Sequence, residues 1–258
     1  MSVSEAQEIL AKAEKKAQQR GWFSGPKYEE AADLYNRAGN TFKIAKKFKE
    51  AGSAFCSAAD MFLKANEPQE AGQCYISASK VLKKDFPQEA IGALEKAITI
   101  LTDGGRFYIA ASHKKEVAKI YETDLLDKGA AKSAYQVAAD WYIGEDSTAL
   151  ANQCLLKVAT LAGDLGEFQQ AIEIFESIAQ DSVNDNLTKW SVKDYLFKAG
   201  LCHLASYDPT RQNIMAKAIE RYKALDFNFA NTRECALLQN LYESVKENDV
   251  EAFTNYLA

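Results

Sequence analysis

Histidine is almost missing from this 258-residue chain: His113 and His203 are the only two. Neither belongs to an HExxH helix or a Cys/His cluster, so no metal site is expected. Cysteine is sparse as well. Cys56, Cys74, Cys154, Cys202 and Cys235 form no CxxC pair, and each sits in an apolar stretch, as small core residues of a reducing compartment do. No apolar run approaches the roughly 20 residues that span a bilayer. The opening MSVSEAQEIL is polar and acidic rather than a secretory leader. A cytosolic chain with at most peripheral membrane contact is therefore expected.

Phosphate-cradling and nucleophile motifs are also lacking. There is no P-loop, GxGxxG or GxSxG elbow, and Gly104-Gly105 in TDGGRF reads as a turn. Carboxylates are plentiful, but no spacing sets a pair apart for acid–base work. Neither an enzyme nor a cofactor is expected. Basic charge is not in excess: the net charge is −5, which disfavours nucleic acid as a partner. Only four prolines occur, at 26, 68, 87 and 209, all where a turn or helix start is expected.

What the chain has in abundance is one pattern, returning about every 20 residues: a small residue, usually Ala, followed by an aromatic or aliphatic anchor. It reads EEAADLY at Ala31, EAGSAF at Ala51, EAGQCY at Ala71, EAIGAL at Ala90, IAASHK at Ala110, GAAKSAY at Ala131, LANQCL at Ala151 and QAIEIF at Ala171. Between turn signals the spacing is helical; Tyr28, Ala31, Ala32, Leu34, Tyr35, Ala38, Phe42 and Ala45 form one apolar face. Helices of about 14–16 residues are expected, with Gly, Asp and Ser ending one and capping the next. Self-similarity at a fixed step predicts an all-α, tetratricopeptide-like right-handed α-solenoid. The pattern changes after about residue 180, where DSVNDNLTKWSV reads as a linker and Trp190 opens a new helix. Residues 1–180 are thus expected to form the hairpin solenoid, and residues 181–258 a helical bundle that caps its open apolar end.

The stretches KYEEAADLYNRAGNTFKIAKKFKEAGSAF, PQEAIGALEKAITILTDGGRF, KIYETDL, CLLKVA, KDYLFKAGLCHLA and NFANTREC together resemble the soluble attachment protein (SNAP) family of N-ethylmaleimide-sensitive factor (NSF). The order and spacing hold nearly end to end. WFSG, TDGGRF and KDYLFKAGLC resemble the α/β branch more than the γ branch. The resemblance implies an adaptor: monomeric when free, several copies coat a spent SNARE four-helix bundle and dock a hexameric AAA+ ATPase, NSF, which pulls the bundle apart. Family members run some tens of residues further and end in a leucine-containing tail that stimulates the ATPase. Ending at NYLA, this chain is expected to bind SNAREs but to stimulate poorly.

Three surfaces follow from the resemblance. Trp22 and Phe23, in the loop near 20–27 between Arg20 and Lys27, match a loop that enters the bilayer interface, where aromatic rings and neighbouring cations are favoured. Lys46, Arg106, Lys157, Lys193 and Arg233 match residues that meet the acidic SNARE bundle. Lys114, with Lys115, stands in for a lysine that relatives often carry at Ser112; Gln153 is a second departure of the same kind. Those cations are expected at comparable phases of the repeat. Glu243, Glu247, Asp249 and Glu251 match the acidic end that faces the ATPase. The alternative is a generic tetratricopeptide-like scaffold gripping a peptide, but no regular Asn/Lys carboxylate clamp is present.

Overall fold

A computed structural model of the chain describes residues 2–19, 27–208 and 213–257. Among these residues lie thirteen α-helices and no strand: α1 (Val3–Gln18), α2 (Tyr28–Ile44), α3 (Phe48–Lys64), α4 (Pro68–Leu82), α5 (Pro87–Asp103), α6 (Phe107–Thr123), α7 (Lys128–Gly144), α8 (Thr148–Asp164), α9 (Phe168–Ser182), α10 (Val192–Ala205), α11 (Asn213–Leu225), α12 (Arg233–Glu247) and α13 (Val250–Leu257). Short 3₁₀ turns at Lys189–Ser191 and Phe229–Asn231 precede α10 and α12. Trp190 therefore enters through a 3₁₀ turn before α10 begins. The chain divides into two compact units, Met1–Ala151 and Asn152–Ala258. The change of pattern near residue 180 falls inside the second.

The eight repeat alanines occupy one structural position. Ala31, Ala51, Ala71, Ala90, Ala110, Ala131, Ala151 and Ala171 are each the fourth residue of α2 to α9 in order, and all are 0–2% exposed. Each Ala N–H donates the first helical bond to the carbonyl of the residue before the helix, as Ala31 does to Lys27 (3.1 Å) and Ala110 to Arg106 (3.0 Å). The missing side chain lets the neighbouring backbone come close. The anchor follows at the eighth position: Tyr35, Phe55, Tyr75, Leu94, Tyr135 and Phe175 are all buried. Alanine for approach and an aromatic ring to fill the gap is how such a layer reaches interior packing density.

The 20-residue step is a 17-residue helix plus a three-residue turn, so the helices are a little longer than expected from sequence. The turn explains it. Lys46, Asn66, Gly105, Asp146 and Gly166 adopt left-handed backbone (φ 53 to 79°) two residues past their helix. The next N–H then closes back on the helix, as Lys47 does on the Phe42 carbonyl (2.9 Å), Arg106 on Leu101 (2.8 Å) and Glu167 on Ala162 (2.8 Å). This is the Schellman closure. It uses the backbone of the residue before the next helix, and α3, α4, α6 and α9, which follow such turns, start without a side-chain cap, as do α2 and α5. The caps expected from Asp and Ser are confined mainly to Ser2, Asp127 and Asp249, with Thr232 doing the same for α12. Pro68 and Pro87 stand first in α4 and α5, where no N–H is missed.

In the first unit each helix packs on its neighbours in chain order, and three- or four-residue turns force them antiparallel. Turns 45–47, 83–86 and 124–127 thus share one edge of the array, and turns 65–67, 104–106 and 145–147 the other. Two glycines set the helix spacing. A Cβ on Gly39 would stand 2.8 Å from the Phe55 ring, and one on Gly52 would stand 2.5 Å from Leu82 Cγ. Tyr75 and Tyr135 each send a buried ring across to the preceding helix and donate their hydroxyls to Asp60 and Glu122, the latter at 2.7 Å.

The second unit has a core of its own. Ala159, Phe175, Leu196, Ala199, Ile219, Tyr222, Phe229, Leu238 and Tyr242 bring α8 to α12 together. All five cysteines are free thiols, three buried and two half-buried. Burial raises the thiol pKa of Cys56, Cys74, Cys202 and Cys235, that of Cys74 to about 11. The cysteines are core residues, as their sequence contexts imply.

Candidate functional site

The repeat leaves its loops and outer helix faces to carry function. In the first unit the stretch of edge bearing turns 45–47 and 83–86 carries an excess of cations: Lys46, Lys47 and Lys84 are exposed, with Lys43 and Lys49 beside them and Lys83 half-exposed, against the carboxylates Glu50, Asp85 and Glu89. Lys49 ties the two turns together, pairing with Glu89 at 3.4 Å and lying 5.1 Å over the Phe86 ring. On a chain of net charge −5 this edge gathers positive potential that composition alone conceals. Lys46 stands at its centre, exposed and in left-handed backbone (φ 58°).

Arg106 is also exposed, but it follows Gly105 in turn 104–106 on the opposite edge. Lys46 and Arg106 are therefore one residue out of phase, three helices apart along the array and on edges separated by the length of a helix. At 1.5 Å per residue that is about 25 Å.

Lys114 sits in the anchor slot of α6, the eighth position, where α2 to α5, α7 and α9 bury a ring or a Leu. Its stem is accordingly packed in, its side chain is 18% exposed, and its Nζ is held by Glu95 of α5 at 2.6 Å. The side chain snorkels out of the layer, and its charge belongs to the α5–α6 contact more than to a free surface. Ser112 and Lys157 are exposed on α6 and α8.

In the second unit the structure brings Lys193 and Arg233 to one corner. Lys193, second in α10, pairs with Glu234, second in α12, at 2.8 Å, and Arg233 is the first residue of α12. The hydrogen bond from Lys193, above all, holds the Glu234 carboxyl below its ordinary range; the same bond raises Lys193. Three large apolar side chains stand out at this end of the unit: Leu187 (89% exposed), Trp190 (76%) and Phe227 (82%). Lys189 lies 5.3 Å over the Trp190 ring. Nothing in the sequence singles out Leu187 and Phe227, because an apolar residue in a turn looks like any other core residue until its burial is known.

Of the acidic residues, Glu243 pairs with Lys246 at 3.1 Å, while Glu247 and Glu251 are exposed. Asp249 acts locally. Its Oδ1 accepts the Ala252 N–H at 2.9 Å and caps α13, where a negative charge also suits the helix dipole. Trp22 and Phe23 lie outside the described residues.

One half-buried polar cluster has the composition of a catalytic centre but a structural role. Glu176 Oε1 accepts from Tyr222 (2.6 Å) and Arg221 (2.7 Å), with His203 Nε2 at 3.4 Å. Burial would raise this carboxyl; the bonds from His203 and Tyr222 and the charge of Arg221 outweigh it and hold the pKa low. Burial and the same bond push Tyr222 up. The cluster stitches α9, α10 and α11 together. A carboxyl whose pKa falls on folding adds stability above its unfolded pKa, lost as pH drops through the folded one. Glu176→Gln should therefore cost about 1–2 kcal/mol at pH 7, and the gap to the parent should narrow as the pH falls through the lowered pKa of the folded carboxyl; urea titrations at neutral and acid pH measure it. No group of three or more His, Cys, Asp or Glu side chains that could hold a metal occurs among the described residues, and no described helix is long and apolar enough to cross a membrane.

Residues 4–258 match the family described as soluble NSF attachment protein, SNAP. The chain is 43% identical to bovine (Bos taurus) β-soluble NSF attachment protein over 97% of its length and 85% of that protein. It is 42% identical to the mouse (Mus musculus) α protein over 97% and 86%, so these identities do not separate α from β. It is 47% identical to vesicular-fusion protein SEC17 of Coprinopsis cinerea over 97% and 87%. A solved structure, BtubC (BKLC) from P. vanneervenii, has a TM-score of 0.44 and 14% identity over 90% of this chain and 92% of that one, too distant a likeness to carry an argument. With a match spanning nearly every residue and a fold of sequential helical hairpins, the chain belongs to the soluble NSF attachment protein family, adaptors of vesicle fusion rather than enzymes.

Proposed function

We propose that this protein binds assembled SNARE four-helix bundles on the cytosolic face of membranes and recruits the AAA+ ATPase NSF to disassemble them. It acts as a peripheral adaptor, several copies to a bundle. The observation that carries this reading is the cationic edge around Lys46 on an acidic chain. A bundle two helix diameters across is about 20–24 Å wide, close to the helix length that separates the two edges of the array, so a bundle lying against the array can meet both edges. Lys157 and the Lys193–Arg233 corner add contacts from the second unit, with Trp190 and Leu187 as apolar anchors beside the cations; Trp in such a place is a common centre of binding energy. Lys114 contributes chiefly through its stem and its pair with Glu95. The exposed carboxylates Glu243, Glu247 and Glu251, with Asp249, face basic patches on the ATPase.

Pull-down with a preassembled SNARE bundle and, separately, with its unassembled subunits tests the reading. Retention of the bundle at least tenfold above the single chains is expected. Equal capture of the single chains would favour a peptide clamp and overturn it. At the membrane, Trp22→Ser combined with Phe23→Ser should reduce liposome co-flotation several-fold while leaving binding to soluble bundles intact. Unchanged co-flotation would show that Trp22 and Phe23 make no membrane contact.

A further inference from the structure

Beside Arg106 the first unit contains a groove. Between α4 and α6, floored by the end of α5, lies a cavity of about 490 Å³, within the range of ligand pockets. Its walls are mostly aliphatic, with Leu63, Ile76, Ile100 and Ile109, and Arg106 stands at its mouth. Ile76 and His113 also line an adjoining recess of about 240 Å³ bordered by Lys80, Lys83 and Glu116. Burial first, and Lys80 second, lower the pKa of His113, so its imidazole is a neutral wall at pH 7.

Two observations point to a ligand. Gly72 faces the cavity, yet a Cβ there would only touch Ile100 Cγ2 at an ordinary 3.7 Å; packing does not demand this glycine, and its effect is to leave space. The charges at the rim do not cancel. Lys83 is paired with Glu116, which leaves Arg106 and Lys80 against Asp103 alone. Gln69 and Gln73 are the amide side chains of the wall, too few to satisfy a peptide backbone, whereas a hydrocarbon chain needs none.

We propose that this groove holds a single-chain anionic amphiphile, its hydrocarbon over Ile76, Ile100 and Ile109 and its carboxylate or phosphate on Arg106. The groove shares Arg106 with the proposed SNARE contact, but its apolar walls and its test do not involve SNAREs. The full chain is titrated with dansyl-undecanoate below its micellar concentration, and the probe is then displaced with oleate, oleoyl lysophosphatidate or oleyl alcohol. Saturable one-to-one binding is expected, displaced by both acids, with the alcohol at least tenfold weaker; the stronger of the two acids identifies the head group. Gly72→Leu, which fills the groove, and Ile109→Gln, which makes its wall polar, should each weaken the probe at least tenfold with circular dichroism unchanged. Arg106→Gln should weaken the acids but not the alcohol. Absence of saturable binding, full affinity in a folded Gly72→Leu or Ile109→Gln variant, or an alcohol that binds as tightly as the acids overturns the proposal.

Discussion

Reversing Lys46, Arg106 and Lys157 together to Glu should abolish capture of a SNARE bundle at physiological salt. An exposed charge at an interface rim contributes ~0.5–1 kcal/mol, and reversal replaces attraction by a repulsion of similar size. Three reversals together therefore amount to about 3–6 kcal/mol, a loss of roughly a hundredfold to ten-thousandfold. Binding by the parent should also weaken as salt rises, since these charges are screened within ~10 Å at 0.1 M. Two single variants give the result its resolution. Lys46→Gly removes one charge and relieves a left-handed backbone position (φ 58°), so it should raise stability by about 1 kcal/mol while weakening binding only a few-fold. Lys114→Leu restores the aliphatic anchor of α6 and should change binding least, because that ammonium is already held by Glu95 at 2.6 Å. Unchanged pull-down by the triple variant would remove the cationic edge from the binding surface.

Gly52→Val should destabilise the first unit by about 3 kcal/mol, at the upper end for overpacking, and lower its melting temperature by ~6–12 °C. A Cβ at this position would come within 2.5–2.7 Å of the Cγ and both Cδ atoms of Leu82, which is itself buried in the α3–α4 layer and has nowhere to go. Leu82→Ala alone should cost about 2–5 kcal/mol through the cavity it leaves. The double variant Gly52→Val, Leu82→Ala should be clearly more stable than the two losses added, because the new methyls occupy the vacated volume. That coupling, measured by a double-mutant cycle, distinguishes a packing clash from a loss of backbone freedom. Additive losses would show that Gly52 is needed for some reason other than closeness to Leu82.

The array of helices was legible in the sequence because one physical demand recurs at a constant interval. A helix in a stacked layer needs a small residue where its first turn meets a neighbour and a bulky one a turn later to fill the gap, so Ala31 to Ala171 and their anchors report the layer directly. The alanines fell into one position of eight consecutive helices. The turn chemistry was only partly legible. Gly105 and Gly166 announce left-handed backbone, but Lys46, Asn66 and Asp146 adopt it too, held by the closing bonds of the preceding helix rather than by their own preference. The caps expected from Asp and Ser were mostly replaced by those same backbone bonds.

The charged residues were the least legible. A lysine reads the same in sequence whether it is exposed on a turn, as Lys46 is, or fills a core slot with its stem, as Lys114 does; burial and the position of Glu95 separate the two. Lys193 and Arg233 are far apart in sequence and share a corner only because α10 and α12 begin at the same end of their unit, where Glu234 joins them. The sequence by itself thus determined an all-helical hairpin array and its family, since periodic burial is a local property repeated along the chain. Only the tertiary structure decided which cations reach a partner, which edge each occupies and where a groove stays open, because those depend on helix direction and on neighbours distant in sequence.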